Sequence, residues 1–397
     1  MFRFSLMRYL ILTGICVIIL LALAACASGD SVPLSGIALD NPALAVDGLG
    51  APKAVNLSYR INETSKVSLT LEGSGNTRYI IRQDETRPPG SYTTTLNGLF
   101  DLEENGLPQR RLLPNGTYRY VLLATSGNKS SSEQGQLSLS GNSTEGAPEI
   151  SNLSAYPSVI SPNFDALDDV TTLNWRTSRP ATVTVSISGQ GGFNKTLKTI
   201  KNQPAQEDQL VFDGRDLKGD PLPDGIYTYT ITAADAYGQV TRRSSTLEVK
   251  GGGKPNVTVT SVEIGPEEII SGNEVTLHIK VKNTGKVPVR SQYPYSGFSY
   301  SSREVYSSIE NGKYDEKAGF WRIGVDFEAN NSAGAVRYPW RWGFGKEFLL
   351  PGEEAEITGK IRIDRNEQRI VLYVGLIQEK IALRADRLKV IQVKISY

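Results

Sequence analysis

Four oxygen-bearing side chains, Asn163, Asp165, Asp168 and Asp169, fall within one short stretch of the chain. Calcium takes carboxylate and amide oxygens of this kind, so the stretch is a candidate for a weak metal site. Asn and Asp at such spacings also cap tight turns by accepting backbone N–H groups, which needs no ion. Asp213, Asp216, Asp220 and Asp224 pose the same choice, each close to Gly or Pro. A second group is aromatic: Trp321, then Tyr338, Trp340, Arg341 and Trp342, preceded by Tyr293, Tyr295, Phe298 and Tyr300. Ring faces stack on sugars and arginine adds hydrogen bonds, so these residues form a candidate ligand-binding surface. The competing use is a core, because aromatic rings bury large apolar areas. In an extended segment Trp340 and Trp342 share one face and Arg341 takes the other.

Signals for enzyme chemistry are sparse. The one histidine, His278, alternates with Leu277, Ile279 and Val281 and so points to solvent on a strand. A single histidine excludes a His-x-x-x-His zinc pair, and neither Gly-x-Ser-x-Gly nor a Walker loop occurs. The pairs Glu267-Glu268 and Glu353-Glu354 sit beside turns. A carboxylate dyad assembled across loops needs no motif, so a hydrolase with an unrecognised carboxylate site stays as an alternative. No cofactor is implied. Lys plus Arg, 43, nearly balances Asp plus Glu, 42, without a basic patch, which argues against nucleic acid as a partner.

The elements that would position these groups begin after residue 25. Arg3 and Arg8 precede an apolar run from Leu10 to Leu23, the pattern of an export signal over residues 1–25. Leu23-Ala24-Ala25-Cys26 then resembles the bacterial lipoprotein box, which implies acylation of Cys26 and a membrane anchor. An ordinary cleaved signal or an uncleaved anchor helix is the alternative. The expected setting is the bacterial cell envelope, on the outer side of the cytoplasmic membrane or at the cell surface. Of the two cysteines, Cys16 lies in the signal and Cys26 would carry lipid, so no disulfide is expected in the mature chain. Residues 26–50, rich in Gly, Ser, Pro, Ala and Asp, read as a flexible tether.

From there the chain is patterned for sheets. Ile226, Tyr227, Tyr229 and Ile231 are spaced by threonines after a Pro223-Asp224-Gly225 turn, the signature of a half-buried strand. Leu113-Pro114-Asn115-Gly116-Thr117-Tyr118 repeats Leu222-Pro223-Asp224-Gly225-Ile226-Tyr227, and Asn97-Gly98 repeats Asp213-Gly214. The offset falls from 116 residues at the first turn to 109 at the second, so the first copy carries seven extra residues. They lie in a charged loop, Leu102 to Leu113, read mainly as solvated. The repeat implies a duplicated module: a first domain over 51–142 and a second over 147–250, with Gly251-Gly252-Gly253 as the boundary to a third over 254–397.

Ser161-Pro162-Asn163, Phe212-Asp213-Gly214-Arg215-Asp216 and the Pro223–Tyr229 strand resemble the immunoglobulin-like domain of the flagellar hook-capping protein. Phe212 stands where that family usually has Trp, and Phe164 and Ala166 stand where it has glycines. In the third region Ser271–Leu277 and Val281–Gly285 are similar to the opening of bacterial cell-adhesion-related or NEW3-type Ig-like domains. The resemblance implies an all-β chain: tandem immunoglobulin-like β-sandwiches plus a C-terminal β-sandwich-like domain. The expected function is a non-enzymatic, lipid-anchored surface protein for adhesion, envelope assembly or protein–protein interaction, with an envelope protein or glycan as partner. The alternatives are a carbohydrate-binding accessory lipoprotein using the aromatic surface, and an envelope hydrolase.

Overall fold

The computed structural model describes residues 32–47, 53–142 and 146–397, so residues 1–25, read above as an export signal, and Cys26 lie outside the described residues. Period-two alternation of apolar side chains dictates the architecture. In Ser65–Glu72 and Ala181–Ser188 every second side chain is buried, so each strand gives one face to a core. Helix among the described residues is limited to single 3-10 turns at Ser74–Asn76, Gln190–Gly192 and Ile309–Gly312. None of the described helices is long and apolar enough to cross a membrane.

The first module contains β1 (Leu34–Leu39), β2 (Ala43–Ala45), β3 (Val55–Ile61), β4 (Ser65–Glu72) and β5 (Arg78–Arg87). It continues with β6 (Gly90–Leu96), β7 (Leu99–Glu104), β8 (Leu107–Leu112), β9 (Gly116–Ser126) and β10 (Lys129–Ser140). One sheet runs β1-β3-β6 and the facing sheet β2-β10-β9-β4-β5. Leu34 and Leu44 are buried in the core between them. Residues 34–45 are therefore the first two strands of a sandwich and not part of a tether. Loop-like composition hid them, but their main chains complete two sheet edges.

The second module repeats the plan with β11 (Ile150–Tyr156), β12 (Val159–Ile160), β13 (Thr171–Thr177) and β14 (Ala181–Ser188). Then come β15 (Asn194–Gln203), β16 (Glu207–Phe212), β17 (Gly225–Ala234) and β18 (Val240–Val249). Its sheets are β11-β13-β16 and β15-β14-β17-β18, with β12 parallel to β18 as β2 is to β10. The repeated Leu-Pro-x-Gly-x-Tyr motif has a structural cause. The Tyr118 and Tyr227 hydroxyls donate to the carbonyls of Pro114 and Pro223, at 2.5 and 2.9 Å. This is the tyrosine corner of immunoglobulin-like sandwiches, a ring pinning the turn that enters a central strand. The Tyr227 ring occupies the place a Cβ on Gly189 would take, so that glycine is needed for space.

The third module opens with β19 (Val257–Gly265), β20 (Glu268–Ile270), β21 (Glu274–Asn283), β22 (Val289–Arg290) and β23 (Ser299–Ser301). It goes on through β24 (Trp321–Phe327), β25 (Trp340–Trp342), β26 (Phe348–Leu349) and β27 (Glu354–Arg362). It closes with β28 (Arg369–Gln378), β29 (Ala382–Ala385) and β30 (Val390–Ser396). Its sheets run β19-β21-β27-β23 and β20-β30-β28-β24-β25. Here β20 lies parallel to β30, so the strand plan matches the other two modules. A long excursion between β21 and β24 sets it apart, and β23 from that excursion adds to the first sheet.

Candidate functional site

The residues singled out for chemistry divide into two joints and one core. Asn163, Asp165 and Asp169 shape the loop between β12 and β13. Both Asp169 oxygens accept main-chain N–H groups, Oδ1 from Asn163 and Phe164 and Oδ2 from Ala166, all within 2.9 Å. Asn163 Oδ1 accepts from Asp165 N–H, and Asp165 Oδ1 from Leu167 N–H. These oxygens serve the turn. Among the described residues no three or more His, Cys, Asp or Glu are gathered to hold a metal ion. The loop is bent by residues in the left-handed region: Phe164 at φ +64°, Ala166 at +62° and Asp168 at +50°. Phe164 and Ala166 are the positions where the hook-capping family has glycines.

That loop meets the third module. Gln378, 1 % exposed, donates its amide to the Phe164 carbonyl at 2.6 Å and accepts from Arg384. A Cβ on Gly319 would overlap the Asp165 carbonyl group, so the two backbones touch. Burial pushes the Asp165 carboxyl above its ordinary range; the Leu167 N–H and Arg290 pull it down and Asp169 pushes it up. The glycine boundary is held too. Gly252 N–H donates to Asp224, Gly253 N–H donates to the Pro162 carbonyl, and Lys254 pairs with Asp220. The boundary is a pinned crossing.

The charged loop of the first module, expected to be mainly solvated, is paired instead. Residues 99–112 form the β7–β8 hairpin, whose Arg110 pairs in register with Val240 of β18. The hairpin thereby extends the second module's sheet to β15-β14-β17-β18-β8-β7. Gln109, 1 % exposed, donates to the Arg242 carbonyl at 3.0 Å and accepts from Arg242 N–H at 2.7 Å. Gln239, 3 % exposed, accepts from Leu112 N–H at 3.1 Å. Arg111 donates to the Val240 carbonyl, and Glu104 pairs with both Arg111 and Arg243. The partner of the charged loop is the next module of the same chain.

Of the aromatic group, Trp321, Tyr300 and the Tyr338–Trp342 segment lie inside, while Tyr293 is exposed. Trp321, Tyr338, Trp340 and Trp342 are each at most 2 % exposed, and Arg341 is 6 %. A sugar-stacking platform at these residues is thus overturned: both faces of β25 are covered, by the sandwich core and by the excursion. Trp342 donates to the Phe298 carbonyl, and its ring fills the place of a side chain on Gly359. The Tyr300 hydroxyl donates to the Arg341 carbonyl at 2.8 Å. Arg341 bridges Glu379 at 2.5 Å and Glu316 at 3.0 Å, and Arg322 contacts Glu379 at 2.7 Å. Both guanidinium groups lie over the Tyr306 ring, at 3.9 and 4.8 Å. Burial raises Glu316, but the Tyr306 hydroxyl and Arg341 outweigh it and hold the carboxyl below its usual range. Sequence reasoning missed this sealed ion cluster, since single charges among apolar residues look like strand surface.

The remaining acids are engaged at the surface. Glu268 pairs with Lys394, Glu353 with Lys346 and Glu354 with Lys282. His278 is beside Thr358 at 3.4 Å on an exposed sheet face. One open depression of about 550 Å³ on a sheet face is bordered by Ser154, Asn174 and Gln209.

The fold is that of tandem immunoglobulin-like sandwiches, and residues 161–237 match the family model of the FlgD Ig-like domain. The second module is therefore a FlgD-type Ig-like domain. Among solved structures the chain is similar to Escherichia coli alpha-2-macroglobulin, at 10 % identity, TM-score 0.24, covering 92 % of this chain and 23 % of that one. It is similar to a two-domain fibronectin type III segment of chicken tenascin, at 17 % identity, TM-score 0.18, covering 54 % and 98 %. A third likeness, to a bacterial ice-binding adhesin, has 12 % identity, TM-score 0.20 and coverage of 92 % and 97 %. No curated protein matches the chain.

Proposed function

We propose that the chain is a non-enzymatic, lipid-anchored protein of the bacterial envelope, in which three sandwiches form a stiff arm carrying the elaborated third module. Its work is adhesion, envelope assembly or support of a protein partner. The observation that carries this reading is where the polar side chains are spent: Gln109, Gln239, Gln378, Asp165 and Asp169 build joints or turns. The sealed Arg322–Glu379–Arg341 cluster gives a substrate no approach. An acylated Cys26 supplies the anchor, since each buried methylene contributes about 0.8 kcal/mol.

Cross-linking on intact cells, with partner identification, tests the role, and Cys26→Ser tests the anchor. The variant is expected to lose palmitate labelling and leave the membrane fraction. Unchanged labelling or retention would overturn the anchored reading. Turnover of an envelope polymer by the purified chain would overturn the non-enzymatic one.

A further inference from the structure

We propose that the β7–β8 hairpin is a brace that makes the first two modules one cooperative unit and fixes the angle between them, with Gln109 and Gln239 setting its register. The inference does not depend on where the chain is displayed or on how it is anchored.

The insertion itself is the first ground. The corresponding connection in the second module, between β16 and β17, is a compact loop closed by an Arg215–Pro221 bridge. In the first module the extra length becomes two paired strands that reach across the joint. A lone hairpin is marginal in water, so this one needs support. It has it on both sides. Phe100 packs edge-on to Tyr79 of the first module at 4.9 Å, and Arg110 pairs with Val240 of the second. Leu99 also packs on Gly238, whose missing side chain leaves room.

The second ground is how the contact is read. The Gln109 amide acts as an extra peptide group, donating to and accepting from one residue, Arg242. Gln239 does the reciprocal task from the other module, holding Leu112 N–H while its own amide donates to Asp235. A slip along β18 would leave these buried groups unpaired, which fixes a single alignment. The ion pairs of Glu104 are partly exposed and add little by themselves.

The test uses the full chain with Cys16 and Cys26 replaced by serine and spin labels at Gln83→Cys and Lys198→Cys, both exposed positions. One variant carries Gln109→Ala with Gln239→Ala. A second replaces residues 101–110 by Asn-Gly, which joins the paired residues Phe100 and Arg111 by a two-residue turn and keeps Phe100 against the first core. The expected result is a single narrow distance in the parent chain. In both variants it should broaden about twofold, and the shared melting transition of the two modules should split. A broad distribution in the parent, or a shortened chain as narrow as the parent, would overturn the brace. Broadening in the shortened chain alone would overturn the role of the two glutamines.

Discussion

Gln109 and Arg242 stand in different modules, yet the side-chain amide of one pairs with the main chain of the other in both directions. Such a contact resembles one extra rung of a sheet, made by a side chain. Gln109→Ala removes the rung and leaves a partly buried donor and acceptor at Arg242. Each orphaned group costs about 1–3 kcal/mol, less whatever water recovers. Urea unfolding of the full chain should register a loss near the lower end, and Gln109→Asn, one methylene short, should behave like alanine.

Ala166 is held at φ +62°, where a Cβ is strained and glycine is not. Ala166→Gly should therefore raise the melting temperature of the second module, with a gain of about 1 kcal/mol. Phe164→Gly relieves the same strain at φ +64° but gives up the stacking of Arg215, 4.5 Å from the ring centre. Its net effect should be smaller or reversed. Calorimetry on the two single variants separates the terms.

Asp165 gives the joint between the second and third modules a pH dependence. Its carboxyl is raised by burial, so the folded chain holds the proton more tightly than the unfolded one. The folded form is favoured below the ordinary value of 3.8 and becomes progressively less favoured as pH rises through the elevated one. Asp165→Asn keeps the oxygen that accepts from Leu167 and has no charge to lose. Melts should show variant and parent alike at about pH 3 and the variant more stable at about pH 7.

Trp342 is a core residue, so Trp342→Ala should unfold the third module and not merely blunt a surface. Truncation of a fully buried Trp costs about 3–5 kcal/mol. Loss of near-ultraviolet dichroism with a lowered melting temperature is expected. Gly359→Val should have the same direction, since its side chain would enter the Trp342 ring.

What was legible in the chain is what short-range pattern writes down. The tyrosine corners at Tyr118 and Tyr227 repeat because one turn needs Pro, Gly and Tyr at fixed offsets, and that exposed the duplication. The strands Val55–Ile61 and Val275–Val281 alternate cleanly and were visible for the same reason. The third module repeats the strand plan without a tyrosine corner, and the excursion between β21 and β24 breaks its spacing, so its kinship was hidden. The β7–β8 hairpin was hidden by charge: Asp101, Glu103, Glu104, Arg110 and Arg111 mask its alternation, and Glu104 and Arg111 meet Arg243 and the Val240 carbonyl in another module. The buried aromatics were undecidable locally, because a strand covered on both faces and a half-open platform have the same spacing.

The strands at Leu34–Leu39 and Ala43–Ala45 bear on how the molecule is handled in the laboratory. A fragment cut at residue 51, where regular patterning begins, would bare the flanks of β3 and β10 and remove Leu34 and Leu44 from the interior. Such a fragment would present raw strands to its own copies and precipitate. Expression should start upstream of Leu34, since trimming the segment before residue 51 would dismantle the first domain.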